Sequence, residues 1–151
     1  MIASSVWDKL VSTLQNNPDL SKYIKYVYEG RRYEFEPNSL PHLQLEPVSD
    51  GELEKDMNQI KDIFMTVNIF AFSSNNYHDF KKTIVGGQDY KGILDINNDI
   101  RACLQSSYSL GDTVIDVRFD TSQFDTIDTE KYPVRGMVMP VRILYRQINN
   151  V

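Results

Sequence analysis

The chain has 151 residues and a mass of 17.5 kDa. That is the size of one domain, and such a domain buries about 68–70% of its unfolded surface without needing disulfides or a structural metal. Its 21 acidic and 16 basic residues give a net charge of −5 and a pI near 5.0, which excludes nucleic-acid binding driven by overall basicity, though not by a small local patch. An apolar fraction of 41% with 11% aromatics excludes wholesale disorder.

Taken in chain order, Ser5-Val6-Trp7-Asp8 reads as a helix start, with Ser5 as cap and Asp8 in the first turn. Val6, Trp7, Leu10, Val11 and Leu14 then recur at helical spacing until Asn16-Asn17-Pro18 ends the run. Trp7-Asp8-Lys9 also interrupts any charged-then-apolar leader pattern, so a soluble domain retained in the cytosol, or released by lysis, is expected. Alternation around Ile24, Tyr26 and Tyr28, then a turn at Glu29-Gly30-Arg31, then Tyr33 and Phe35, predicts a hairpin over 22–36. Pro37-Asn38-Ser39 breaks it. His42 to Val48 predicts a strand through Leu43 and Leu45, closed by Pro47 and Asp50-Gly51.

Residues 50–59 are polar and read as a surface connection or an extended arm. Ile60 to Phe72 is the most apolar segment. Ile63, Met65, Val67, Ile69 and Ala71 fall on one face and Phe64, Phe70 and Phe72 on the other. A β-branched and aromatic run, apolar on both sides, predicts a central strand. Gly86-Gly87-Gln88-Asp89 marks a flexible loop. It lacks the glycine spacing of a dinucleotide fingerprint and the lysine of a P-loop. Within 89–105, Ile93, Ile96, Ile100, Cys103 and Leu104 predict a second helix. Val114 to Phe119 predicts a strand with Ile115, Val117 and Phe119 inward. Residues 120–132, with Asp120, Asp125, Asp128 and Glu130 against Lys131, predict an acidic loop. Met137, Met139, Val141, Ile143 and Tyr145 alternate along a last strand, and Pro140 implies that this strand is at an edge or bulged. Most strand-to-strand steps are too short for a parallel crossover. The expected fold is therefore α+β: an antiparallel or mixed sheet with two helices packed on one face, in a single domain over 1–151.

Residues that could carry chemistry are few. His42 and His78 lack metal-ligand spacing and read as surface histidines. Cys103, the one cysteine, excludes an intrachain disulfide and falls at a core position of the second helix, so it reads as a buried structural thiol. Arg31-Arg32 and Lys81-Lys82 read as solvated basic spots. The aromatic-rich stretch Tyr23, Tyr26, Tyr28, Tyr33 and Phe35 is the expected subunit contact, because aromatics are enriched at interface cores.

The order of elements carries a resemblance. An N-terminal helix, a segment ending Leu40-Pro41-His42-Leu43-Gln44-Leu45, a long apolar strand through Phe72, a helix and a closing pair of strands resemble the tail terminator and neck (tail completion) proteins of tailed bacteriophages. Arg135-Gly136 resembles the start of the family's last strand, and Met139-Pro140-Val141-Arg142-Ile143-Leu144-Tyr145 resembles its alternating end. Pro140 and the charged 50–59 connection depart from that pattern. The resemblance implies a non-enzymatic virion protein of the tail or neck, assembled in the host cytoplasm. It implies a homo-oligomeric ring, commonly a hexamer, that caps the tail tube, stops its polymerisation and joins it to the head-side connector. Its partners would be further copies of itself, the tail tube protein and the connector, with DNA only as passing cargo, no membrane, and no cofactor or metal. Asp120, Asp125, Asp128 and Glu130 would then line the channel, where acids repel passing phosphate, or else form a solvated loop. The alternative from another class is a small bacterial ligand- or peptide-binding accessory module, which the nine tyrosines would suit.

Overall fold

The computed structural model describes residues 2–52, 60–73, 80–86, 91–105, 110, 114–128 and 133–148. Among them are three α-helices, α1 (Ile2–Asn16), α2 (Phe80–Val85) and α3 (Ile93–Gln105). Six strands form one sheet: β1 (Tyr26–Glu29), β2 (His42–Glu52), β3 (Ile60–Phe72), β4 (Val114–Phe119), β5 (Gln123–Asp128) and β6 (Pro133–Ile148). The expected α+β class is what the chain adopts.

The sheet order is β1-β2-β3-β6-β4, with β5 also pairing β6. The β1–β2 pair is parallel and every other pair is antiparallel. β3 is central, as its two-sided apolar composition predicts. It pairs β6 along its whole length, from Ile60 opposite Ile148 to Phe72 opposite Gly136.

The odd positions of β3 (Ile63, Met65, Val67, Ile69 and Ala71) are buried, and so are Met137, Met139, Val141, Ile143 and Tyr145 of β6. This face meets α1 through Val6, Leu10, Val11 and Leu14, and α3 through Ile96, Ile100, Cys103 and Leu104. Both long helices lie on this one face. Each fully buried leucine is worth about 1.5–3 kcal/mol relative to exposure, so the stripe of α1 outweighs any cap. Accordingly α1 begins at Ile2 rather than at Ser5, because Ala3 and Trp7 extend the packed stripe by a turn. The helix ends as expected: the Asn17 side chain accepts the N–H groups of Asp19 and Leu20, each at 3.0 Å.

Several expectations fail for identifiable reasons. Residues 22–36 form no hairpin. Only Tyr26–Glu29 is a strand, and it pairs parallel with β2 after the long connection 30–41, the length a parallel pair requires. Of the stretch 120–132 expected as an acidic loop, residues 123–128 are strand β5: β4 and β5 follow one another along the same edge of β6, broken only at 120–122, and 129–132 lie outside the described residues. β6 is neither an edge strand nor bulged at Pro140, since β3 and β4–β5 flank it.

Pro140 is tolerated because its carbonyl accepts the Asp120 N–H (3.0 Å). Its missing N–H would have pointed the same way, at the break between β4 and β5. Pro47 follows the same logic. Leu45 points its carbonyl at Gly30 (2.7 Å), so Pro47, two residues on, points outward where β1 has already ended. β2 therefore continues to Glu52 after an irregularity between Pro47 and Ser49. In β4 a register shift between Val114 and Asp116 turns Ile115 outward, so Val114, Val117 and Phe119 face the core instead. α2 has no counterpart in the expected order. Gly92 sits where a Cβ would collide with the Ile84 carbonyl, which lets α2 and α3 approach.

Candidate interaction site

Gly30 adopts φ +98°, a conformation side chains disfavour, and turns the chain off β1. The segment 31–41 then crosses the second face of the sheet, the one without helices. There Leu40, Phe72 and Val134 form a small second core with Phe35 and Phe70 against it.

His42 anchors this crossing. It is 1% exposed and is not a surface histidine. Tyr28 (5.0 Å) and Phe72 (5.4 Å) meet its ring edge-on, and Phe35 stacks over it at 5.9 Å between centroids. A linear set of hydrogen bonds fixes its tautomer. The Arg32 N–H donates to Gln44 Oε1 (2.9 Å), and Gln44 Nε2 donates to His42 Nε2 (2.9 Å). His42 Nδ1 is then left to donate to the Ser39 carbonyl (3.2 Å). Burial pushes the imidazole down to a pKa of about 4, the Ser39 bond opposes that, and the Arg32 charge adds to it.

Over this base lie two arginines. The Arg31 guanidinium is 3.6 Å from the Phe70 ring centroid and 5.6 Å from that of Tyr33; Arg32 is 4.0 Å from Tyr28. Arg118, Arg142 and Arg146 pair with Asp116, Asp120 and Asp62. Arg101 and Arg135 donate to the hydroxyls of Ser122 and Thr126. Among the described residues, only Arg31 and Arg32 have guanidinium groups that meet rings and no oxygen. They line a cleft of about 420 Å³ with Tyr28, Tyr33, Glu34 and Glu36. Arg31 also lines a groove of about 300 Å³ with Phe70, Gln123, Phe124, Asp125 and Gly136.

Of the aromatic set expected from sequence, Tyr26 and Tyr28 stack at 5.4 Å and Tyr33 is exposed, so these three share one flank. Phe35 lies beneath them. Tyr23 lies elsewhere: its hydroxyl donates to Asp99 of α3 (2.6 Å), and burial followed by that carboxylate raises its pKa. Arg31 and Arg32, read from sequence as a solvated turn, complete the flank, and two adjacent arginines among tyrosines were the available signal.

Asp120 pairs with Arg142 (3.1 Å), while Asp125 is exposed on β5 and accepts the Thr126 N–H (2.7 Å). The Asp128 side chain and Glu130 lie outside the described residues, as do His78 and residues 87–90. Cys103 is buried, with its Sγ 3.8 Å from the Thr13 carbonyl and its pKa pushed up to about 11 by desolvation. Among the described residues no group of three or more His, Cys, Asp or Glu could hold a metal, and no helix is long and apolar enough to cross a membrane. No protein-family model matches the chain, and no curated protein matches it.

Proposed function

We propose that this protein is a non-enzymatic, ring-forming subunit of a phage or phage-derived tail, which caps the tail tube and joins it to the head-side connector. The observation that carries this reading is the exposed flank of Tyr26, Tyr28 and Tyr33 with Arg31 and Arg32. Aromatics and arginine dominate the energetics of protein interfaces, and here they stand on an open sheet flank. The element order, α1 followed by three strands, two helices and three closing strands of one sheet, keeps the helix–strands–helix–strands succession of the resemblance in sequence. Its working place would be the virion tail or neck, with the tube protein, the connector and its own copies as partners.

Native mass spectrometry of the purified protein tests the reading. A closed ring of about six copies is expected, and mixing with tail tube protein should halt tube growth. A monomer that leaves tube length unchanged refutes it. A second reading, a small ligand- or peptide-binding module, is favoured by the 420 Å³ cleft and its two arginines. It predicts a stable monomer that retains an acidic peptide on native mass analysis.

A further inference from the structure

Among the described residues the sheet ends in two edges with no further strand, β1 on one side and β4–β5 on the other. Such edges are templates for pairing with another chain. Both carry exposed aromatics: Tyr26 is 52% exposed and Tyr33 80% on the β1 side, and Phe124 is 47% exposed on β5. Beside β1 stands Arg32, whose guanidinium lies over Tyr28 and meets no oxygen among the described residues, with Glu34 and Glu36 also on its cleft; the Arg31 guanidinium lies further in, over Phe70 of β3, and lines a groove with Asp125 of its own chain. On β5 stands Asp125, whose only described partner is the amide of the next residue.

The ladder sets these features at one level. Tyr26 is opposite His42, His42 opposite Phe72, Phe72 opposite Gly136, and Gly136 opposite Asp125. Tyr26 and Asp125 are thus the two ends of a single row across the sheet. A parallel row runs from Tyr28 through Gln44, Phe70 and Val138 to Gln123. Strand direction agrees. β1 runs with β2, and β2, β3, β6 and β5 alternate, so β5 runs opposite to β1. A second copy rotated about an axis along the strands therefore brings its β5 alongside β1 antiparallel and at matching height.

We infer that the sheet of one copy continues into the next, with β5 of one chain pairing antiparallel with β1 of its neighbour. Asp125 of the neighbour supplies the carboxylate that Arg32 lacks. The contact is heterologous, so its repetition closes into a ring or runs on as a filament, and the opposite charges set its polarity. This inference rests on the ring reading and assigns its interface.

The test is a charge exchange read by native mass. Asp125→Arg alone and Arg32→Glu alone should each lose the oligomer. An equimolar mixture of the two should regain it as an alternating 1:1 assembly, because every junction again joins opposite charges. A second measurement is independent of charge. Antiparallel partners stand about 4.5–5.5 Å apart at Cα, within the range of about 4.4–6.8 Å that a disulfide spans. In a Cys103→Ser background, Tyr26→Cys with Asp125→Cys should cross-link copies on oxidation, as should Tyr28→Cys with Gln123→Cys. A ring that keeps its mass through both charge reversals, or that cross-links at neither pair, overturns the inference and leaves the ring reading standing. A wild-type monomer overturns both. Cross-linked open filaments uphold the inference and overturn the ring.

Discussion

His42 makes the protein acid-sensitive above the range where carboxylates titrate. In the native state the imidazole is neutral, with a pKa of about 4, whereas the unfolded value is 6.5. Between those values the unfolded chain binds a proton that the native chain refuses, so stability falls as the pH drops from 6.5 to 4. The contribution is complete above pH 6.5 and gone below pH 4. At 1.36 kcal/mol per unit, the span amounts to about 3 kcal/mol, a large share of a domain's usual 5–15 kcal/mol. The geometry explains why relaxation does not relieve it. A protonated Nε2 would face the Gln44 Nε2 donor, and turning the Gln44 amide would withdraw its oxygen from the Arg32 N–H.

The perturbation that isolates this effect is His42→Gln, which keeps a polar side chain in the network but cannot titrate. Urea unfolding of both proteins from pH 7 to pH 4 gives the difference, with His78 and all carboxylates common to the two. The variant should be the less stable at pH 7 and should close the gap by about 3 kcal/mol by pH 4. NMR titration of the His42 ring should place its midpoint near pH 4. Parallel stability curves, or a His42 midpoint near 6.5, would refute the reasoning.

Val67 is fully buried on the central strand, between Pro47 and Val141, so Val67→Asp should cost several kcal/mol and leave the protein unfolded or insoluble. A soluble variant with wild-type melting would sink that expectation. Gly136 leaves a would-be Cβ 2.9 Å from the Phe72 ring, so Gly136→Ala should destabilise by about 1–3 kcal/mol. Adding Phe72→Leu should recover part of the loss, and a thermal double-mutant cycle that shows simple additivity would argue against that contact. Replacing His42, His78 and Cys103 together is not a neutral test of enzymatic function, since two of these side chains are packed inside the fold. The Cys103→Ser change alone should leave the protein's assembly state on native mass analysis the same as wild type.

Faces were legible in the sequence where strict alternation meets a single core. The odd residues of 63–71 and 137–145 read correctly because every second side chain is driven to one side of the pleat, and the stripe Ile93, Ile96, Ile100, Cys103 and Leu104 read correctly for the equivalent reason on a helix. Partners were not legible. Tyr26 and Tyr28 alternate whether the next strand is 33–35 or 42–45, and the choice fell to Gly30 and to the buried His42 network, neither of which leaves a periodic trace. Ile115 was misplaced because a one-residue shift in register reverses the facing of what lies on its other side.

The two prolines show why the sheet has the edges it has. Each could have been read as a reason to stop a strand, and each instead sits where a neighbouring strand stops. Pro47 faces outward beyond the end of β1, and Pro140 faces the gap between β4 and β5. Their missing N–H groups therefore remove no pairing from the middle of the sheet. The interruption opposite Pro140 also lets β5 start afresh, one residue out of step with β4, because three residues (120–122) span two on β6 (Met139 and Pro140). That step alternates the side-chain pattern anew and turns Asp125, rather than its neighbours, onto the same face as Tyr26. The extra residue in 120–122 thus sets the step between β4 and β5; because deletion of one residue there leaves two opposite two and keeps Asp125 opposite Gly136, the Tyr26–Asp125 cross-link should survive the deletion, and its loss with β6 still folded would refute this register.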